Sequence, residues 1–139
     1  MSTACTEDEL ARLLSDVAFT RHFGFALDEI ATGRCSLNVP FREAFERPGG
    51  LVSGHVFMAS ADVAMWCAIK TQLGLSDGSV TAEMKTNFLA AAKGCSFRCT
   101  ARILKLGQRL IYGMAECTDS KGRLLTHHTL TYVRGRTTP

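Results

Sequence analysis

No C-x-x-C pair occurs among the six cysteines Cys5, Cys35, Cys67, Cys95, Cys99 and Cys117, and no Cys, His and carboxylate cluster stands at ligand spacing, so no metal site is implied. Cys95 and Cys99 share one face of a segment, a spacing that by itself points poorly to a metal. The cysteines read as free thiols acting as small buried hydrophobes, which favours a reducing cytoplasm. A G-x-G-x-x-G is also missing, so no nicotinamide cofactor is expected. Excess charge is scarce: 16 Lys and Arg against 13 Asp and Glu leave +3, which argues for neither a nucleic-acid nor a membrane partner but suits an anionic small ligand. The acidic stretch Met1 to Leu10 has no basic region followed by an apolar run, so no signal peptide is expected. Repeats, low-complexity tracts and linkers are absent, and 139 residues suit one domain over 1–139.

What the chain does have is a long apolar stretch, Leu51 to Ile69, entered through a Pro48-Gly49-Gly50 turn and carrying one formal charge, Asp62. A helix apolar on every face belongs inside something. An Asp in its second half, with Gly54 and His55 near its start, argues against a membrane span. Asp62 must then be paired, face a cavity or perform chemistry, because a lone buried carboxylate is costly.

Before this helix, Thr6-Glu7-Asp8-Glu9 followed by Leu10, Leu13, Leu14 and Val17 predicts a capped amphipathic helix ending near Gly24. Phe25 to Ala31 and Cys35 to Val39 predict a first strand or a hairpin around Thr32-Gly33-Arg34. The central helix should stop near Gly74. Ser79 to Leu89, Cys95 to Leu106, Arg109 to Thr118 and Arg123 to Val133 then read as four strands of an antiparallel meander, and the tail Arg134 to Pro139 as frayed. Helices and strands are segregated, which is α+β: a curved antiparallel sheet wrapped around one long helix, with open edges that invite dimerisation.

Gly49-Gly50-Leu51-Val52-Ser53-Gly54-His55 leading to Ala61-Asp62-Val63-Ala64-Met65, then Val80-Thr81 with Thr86-Asn87-Phe88-Leu89, then Ala101 to Arg109, resembles the hotdog-fold acyl-CoA thioesterases, and within them the phenylacetate-pathway (PaaI-type) branch. The resemblance spans about residues 20 to 134. It implies that the helix is the sausage of a hotdog fold, that backbone amides at Gly54 and His55 polarise the thioester carbonyl, and that Asp62 is nucleophile or general base. It further implies an acyl-CoA substrate, with coenzyme A entering only as part of it, and a homodimer or dimer of dimers with sites between subunits. Two departures stand out: Ser53 replaces the usual His, and Ala90-Ala91 replaces the Arg-Pro after Asn-Phe-Leu.

Gly54 and Asp62 are eight residues apart, about 12 Å of helical rise and not on one stripe. One helix cannot easily present both to one carbonyl, whereas two copies about a two-fold axis can. Ser53 reads as an N-cap or a ligand contact, and His55 as structural or as a contact to carbonyl, sulfur or water. Phe57, Met58, Met65, Trp66 and Phe88 are candidates for core or acyl pocket. Thr81, Glu83, Lys85 and Asn87 should share one face of their strand, with Thr81 and Asn87 candidate substrate contacts. Lys93, Lys105, Arg109 and Arg134 are candidates to meet CoA phosphates. His22, His127 and His128 carry no motif. Two other readings stay open: an acyl-thioester hydratase or dehydratase, which wants a His paired with an acid, and a non-catalytic acyl-CoA-binding protein.

Overall fold

In the computed structural model, which describes residues 2–135, the acidic first turn becomes helix α1 (Glu7–Asp16), capped at Thr6 by a reciprocal bond with Glu9. Its apolar stripe buries Leu10 and Leu14. The expected single helix to Gly24 is instead broken at Val17, whose ψ of 123° is extended, and resumes as α2 (Ala18–Phe23). The buried Thr20 hydroxyl donates to the Leu14 carbonyl at 2.6 Å, satisfying a group that continued helix would have used.

Strands β1 (Ala26–Ala31) and β2 (Arg34–Val39) form the expected hairpin. A turn of 3-10 helix at Glu43–Phe45 leads to a small ribbon, β3 (Glu46–Arg47) with β4 (Leu51–Val52). Because Leu51 and Val52 are used there, α3 begins later than the apolar run, at Gly54, and continues to Leu73. The side chain of Ser53 caps it, and Gly74 at φ +92° ends it. At its far end the buried Lys70 ammonium donates to the carbonyls of Leu75 and Asp77 at 3.0 and 3.1 Å and lies 4.6 Å from the Trp66 ring centroid.

The remaining strands are β5 (Val80–Phe88), β6 (Phe97–Leu106), β7 (Leu110–Thr118) and β8 (Leu124–Val133), in a six-stranded antiparallel sheet of order β1-β2-β6-β7-β8-β5. The four-strand meander is thus only three strands long: β5 pairs with β8, at the opposite edge from β1. Lys93-Gly94 is no hairpin turn. The segment between β5 and β6 crosses the sheet, held by Leu89 and Ala90 amides on the Leu125 carbonyl, by Val52 on Ala92 and by Gly94 on Gly50.

α3 lies across the inner face, against β2, β6 and β7. Gly113 is needed where the two come closest, since a Cβ there would strike the Met65 methyl group and the Arg102 carbonyl oxygen. Helix inside, curved antiparallel sheet outside: this is the hotdog fold. Nor are Arg134 and Gly135 frayed, because Arg134 donates its amide to Arg109 and its guanidinium to the Gly107 carbonyl. The rest of the expected frayed tail, 136–139, lies outside the described residues.

Candidate active site

The head of α3 opens into one cleft and its middle into another. At the head, Gly54 is the first helical residue. Its N–H has no hydrogen-bond partner among the described residues, whereas the His55 amide bonds to the Ser53 side chain at 3.4 Å. A free amide at the start of a long helix, reinforced by the helix dipole, is a donor for developing negative charge. The Phe88 ring closes over this point, and Gly54, Phe57, Phe88 and Leu89 help line a cleft of about 460 Å³ with Arg47 at its rim.

Two turns along, Asp62 faces the other way. Its Oδ1 accepts bonds from the Thr81 hydroxyl at 2.6 Å and from the Tyr132 hydroxyl at 2.6 Å. Oδ2 has no hydrogen bond among the described residues. Burial first, and then the adjacent Asp62 carboxylate, push the Tyr132 phenol well above its ordinary value, so it remains a donor. The carboxylate stands at one wall of a cleft of about 290 Å³ whose other walls are largely apolar: Val17, Phe19, Val63, Trp66 and Val80. The two clefts share no lining residue.

Thr81 reaches Asp62 because β5 does not alternate as expected. A bulge between Thr81 and Glu83 puts Thr81 opposite the buried Tyr132 and Met84 opposite the buried Leu130. Thr81 therefore joins Met84, Thr86 and Phe88 on the helix side, and leaves the face it was expected to share with Glu83, Lys85 and Asn87.

The other expected residues separate clearly. Ser53 is the N-cap, and its hydroxyl also lies 3.3 Å from the His55 ring Nδ1. His55 is exposed and pairs with no acid among the described residues. Phe57 is buried with its ring against Phe97 but reaches the Gly54 cleft, while Met58 is exposed and lines neither cleft. Trp66 lines the Asp62 cleft. Asn87 is exposed and paired with His127 on the outer face. Lys93, Lys105 and Arg109 are exposed and line neither cleft. His128 is fully buried, bonded through Nδ1 to Thr86 and through Nε2 to Thr126, both at 2.8 Å.

Sequence reasoning missed Tyr132, Arg47 and the Val17 and Phe19 wall. For Tyr132 a signal existed: on β8 it alternates with His128 and Leu130 on the buried face, and a buried phenol requires a partner.

The thioesterase superfamily model matches residues 49–126, which include both the Gly54 and the Asp62 clefts' helix and the β5 strand. The chain belongs to the thioesterase superfamily. A Saccharolobus solfataricus protein named "putative esterase" is 30% identical over 130 residues, 94% of this chain and 86% of that one. The crystal structure of a "putative thioesterase" from Silicibacter sp. TM1040 superposes with a TM-score of 0.87 at 28% identity, covering 98% and 96% of the two chains. A phenylacetic acid degradation-related protein of Ralstonia eutropha shares the fold, at TM-score 0.80 and 21% identity over 89% and 98%.

Proposed function

We propose that this superfamily member is an acyl-CoA thioesterase of the phenylacetate-pathway branch, hydrolysing an apolar acyl- or aryl-CoA to the free acid and CoA. The observation that carries the reading is the Asp62 carboxylate, held through one oxygen with the other open, at the wall of an apolar cleft. In this reaction Asp62 either attacks the thioester carbon or takes a proton from the water that does. The carbonyl oxygen becomes an oxyanion against the free Gly54 amide, the C–S bond breaks, and the thiolate leaves with the electron pair. Where Asp62 has attacked, water then hydrolyses the mixed anhydride to the free acid and restores the carboxylate; where it has acted as base, the proton it took passes to the departing thiolate. No cofactor is needed beyond the CoA carried by the substrate.

The two halves come together in a homodimer. β5 is a free edge of nine residues, and a second copy pairing antiparallel with it about a two-fold axis would set the Phe88 end of one strand beside the Val80 end of the other. The Gly54 cleft of one subunit then adjoins the Asp62 cleft of its partner. Six free cysteines, five of them buried, suit a reducing cytoplasm. Among the described residues no helix is long and apolar enough to cross a membrane.

A hydratase or dehydratase is not favoured, because His55 bonds Ser53 and has no acid beside it among the described residues. The test is thiol release from a panel of acyl- and aryl-CoAs by wild type and by Asp62→Asn. Release in wild type, lost in the variant, supports the reading. Binding without turnover in both overturns it in favour of a non-catalytic binder, and hydration of an enoyl-CoA overturns it in favour of the hydratase.

A further inference from the structure

We infer that Tyr132 is a positioning residue for the reaction: its hydroxyl holds Asp62 so that Oδ2, and not Oδ1, is the oxygen that attacks or takes the proton. This rests on the reading of Asp62 given above. Tyr132 lies on β8, far from Asp62 in sequence, and only 2% of its surface is exposed. Its hydroxyl stands 2.6 Å from Oδ1 and 2.9 Å from the backbone carbonyl oxygen of the same aspartate. One donor shared between a side chain and its own backbone fixes the rotation between them, which a bond to the carboxylate alone would not do.

The Thr81 hydroxyl reaches the same oxygen from the neighbouring strand, so Oδ1 is engaged from two sides while Oδ2 is bare. An oxygen that already accepts two short bonds is a poor nucleophile and a poor base, because reacting means giving up one or both. The open oxygen reacts without that loss. The Thr81 hydroxyl sits on a short side chain that turns about one bond, whereas the Tyr132 ring is locked in the core. The phenol is therefore the rigid member of the pair, and its protonated state, favoured by burial and by the carboxylate itself, keeps it donating.

The experiment compares wild type, Tyr132→Phe and Asp62→Asn in thiol release, resolving kcat, KM and the acid limb of the pH profile. Deleting the hydroxyl should cut kcat about tenfold, leave KM within about twofold, and move the acid limb upward by about one pH unit, since an anion loses a donor. A purely structural role for Tyr132 would lower the melting temperature without moving the acid limb. Tyr132→Phe with wild-type kcat and acid limb, beside an inactive Asp62→Asn, overturns this inference alone. An active Asp62→Asn overturns the reading beneath it. If Tyr132→Phe does not fold, 3-fluorotyrosine incorporated into Tyr112→Phe, which leaves Tyr132 as the one tyrosine of the two, decides. The more acidic phenol donates more strongly, so the acid limb should move down relative to unlabelled Tyr112→Phe, and an unmoved limb overturns the inference.

Discussion

The Phe88 ring sits directly against Gly54: a Cβ on that glycine would lie 3.0 Å from two of its ring carbons. Gly54 has no positive φ, so its value here is space and not backbone freedom. Gly54→Ala should be tolerated by the helix, for which alanine is the better former, yet must push the ring into the cleft where the free amide points. The expected result is a fall in kcat/KM of about tenfold or more with little change in melting temperature. Wild-type kinetics for this variant would mean that the amide needs no close approach.

Trp66 forms a wall of the Asp62 cleft, with Lys70 behind its ring. Trp66→Ala enlarges the space for the acyl group without touching the carboxylate. For a bulky aryl- or medium-chain acyl-CoA, kcat/KM should fall about tenfold through KM, while acetyl-CoA, too short to reach the wall, should lose little. Equal losses for both substrates would remove Trp66 from the acyl pocket.

Lys70 ties the end of α3 to the loop before β5 through the Leu75 and Asp77 carbonyls. Burial lowers its pKa, so the fold bears a desolvation cost that these bonds offset. Lys70→Met leaves two part-buried carbonyls without their donor and should cost about 1 to 2 kcal/mol in urea denaturation. Because that loop leads into Thr81, the same variant should also lower kcat.

Cys5 and Cys35 are buried in the core, and their thiols are pushed above the ordinary value of 9.0, Cys5 mainly by burial and Cys35 mainly by its hydrogen bond to the Cys67 thiol. Above pH 9.0 the unfolded chain releases these protons while the folded one keeps them, so the stability these two thiols contribute is full below that pH and is lost as pH rises toward the raised folded values. The unfolding free energy from urea titrations should fall between about pH 9 and 10.5, by up to about 1.4 kcal/mol per pH unit for each such thiol. Cys35→Val should flatten the decline, and an unchanged slope would contradict the account.

Much of this fold was readable from periodicity. The apolar run with a single Asp, the first hairpin and the extents of β5 to β8 all follow from local pattern, because burial on one side or on all sides imposes its own period. What was not readable depends on partners distant in the chain. The place of β5 beyond β8 is decided by bonds from the β5–β6 connection to Leu125, Val52 and Gly50, and the Ala82 bulge by pairing with Tyr132. The break at Val17 turns on Thr20 capturing one carbonyl. Within the site, Gly54 and Asp62 came from a motif, whereas Tyr132 meets Asp62 only once β8 lies beside β5.

The central claim is that one site is built from Gly54 of one subunit and Asp62 of the other. Co-expressing Gly54→Ala with Asp62→Asn, purifying the mixed dimers through separate tags and measuring thiol release tests it most directly. In a mixed dimer one site carries both lesions and the other carries neither, so each such dimer should show about half the wild-type activity, although Gly54→Ala alone keeps about a tenth or less and Asp62→Asn alone is inactive. Activity no higher than that of the parents would contradict the shared site and return both residues to a single chain.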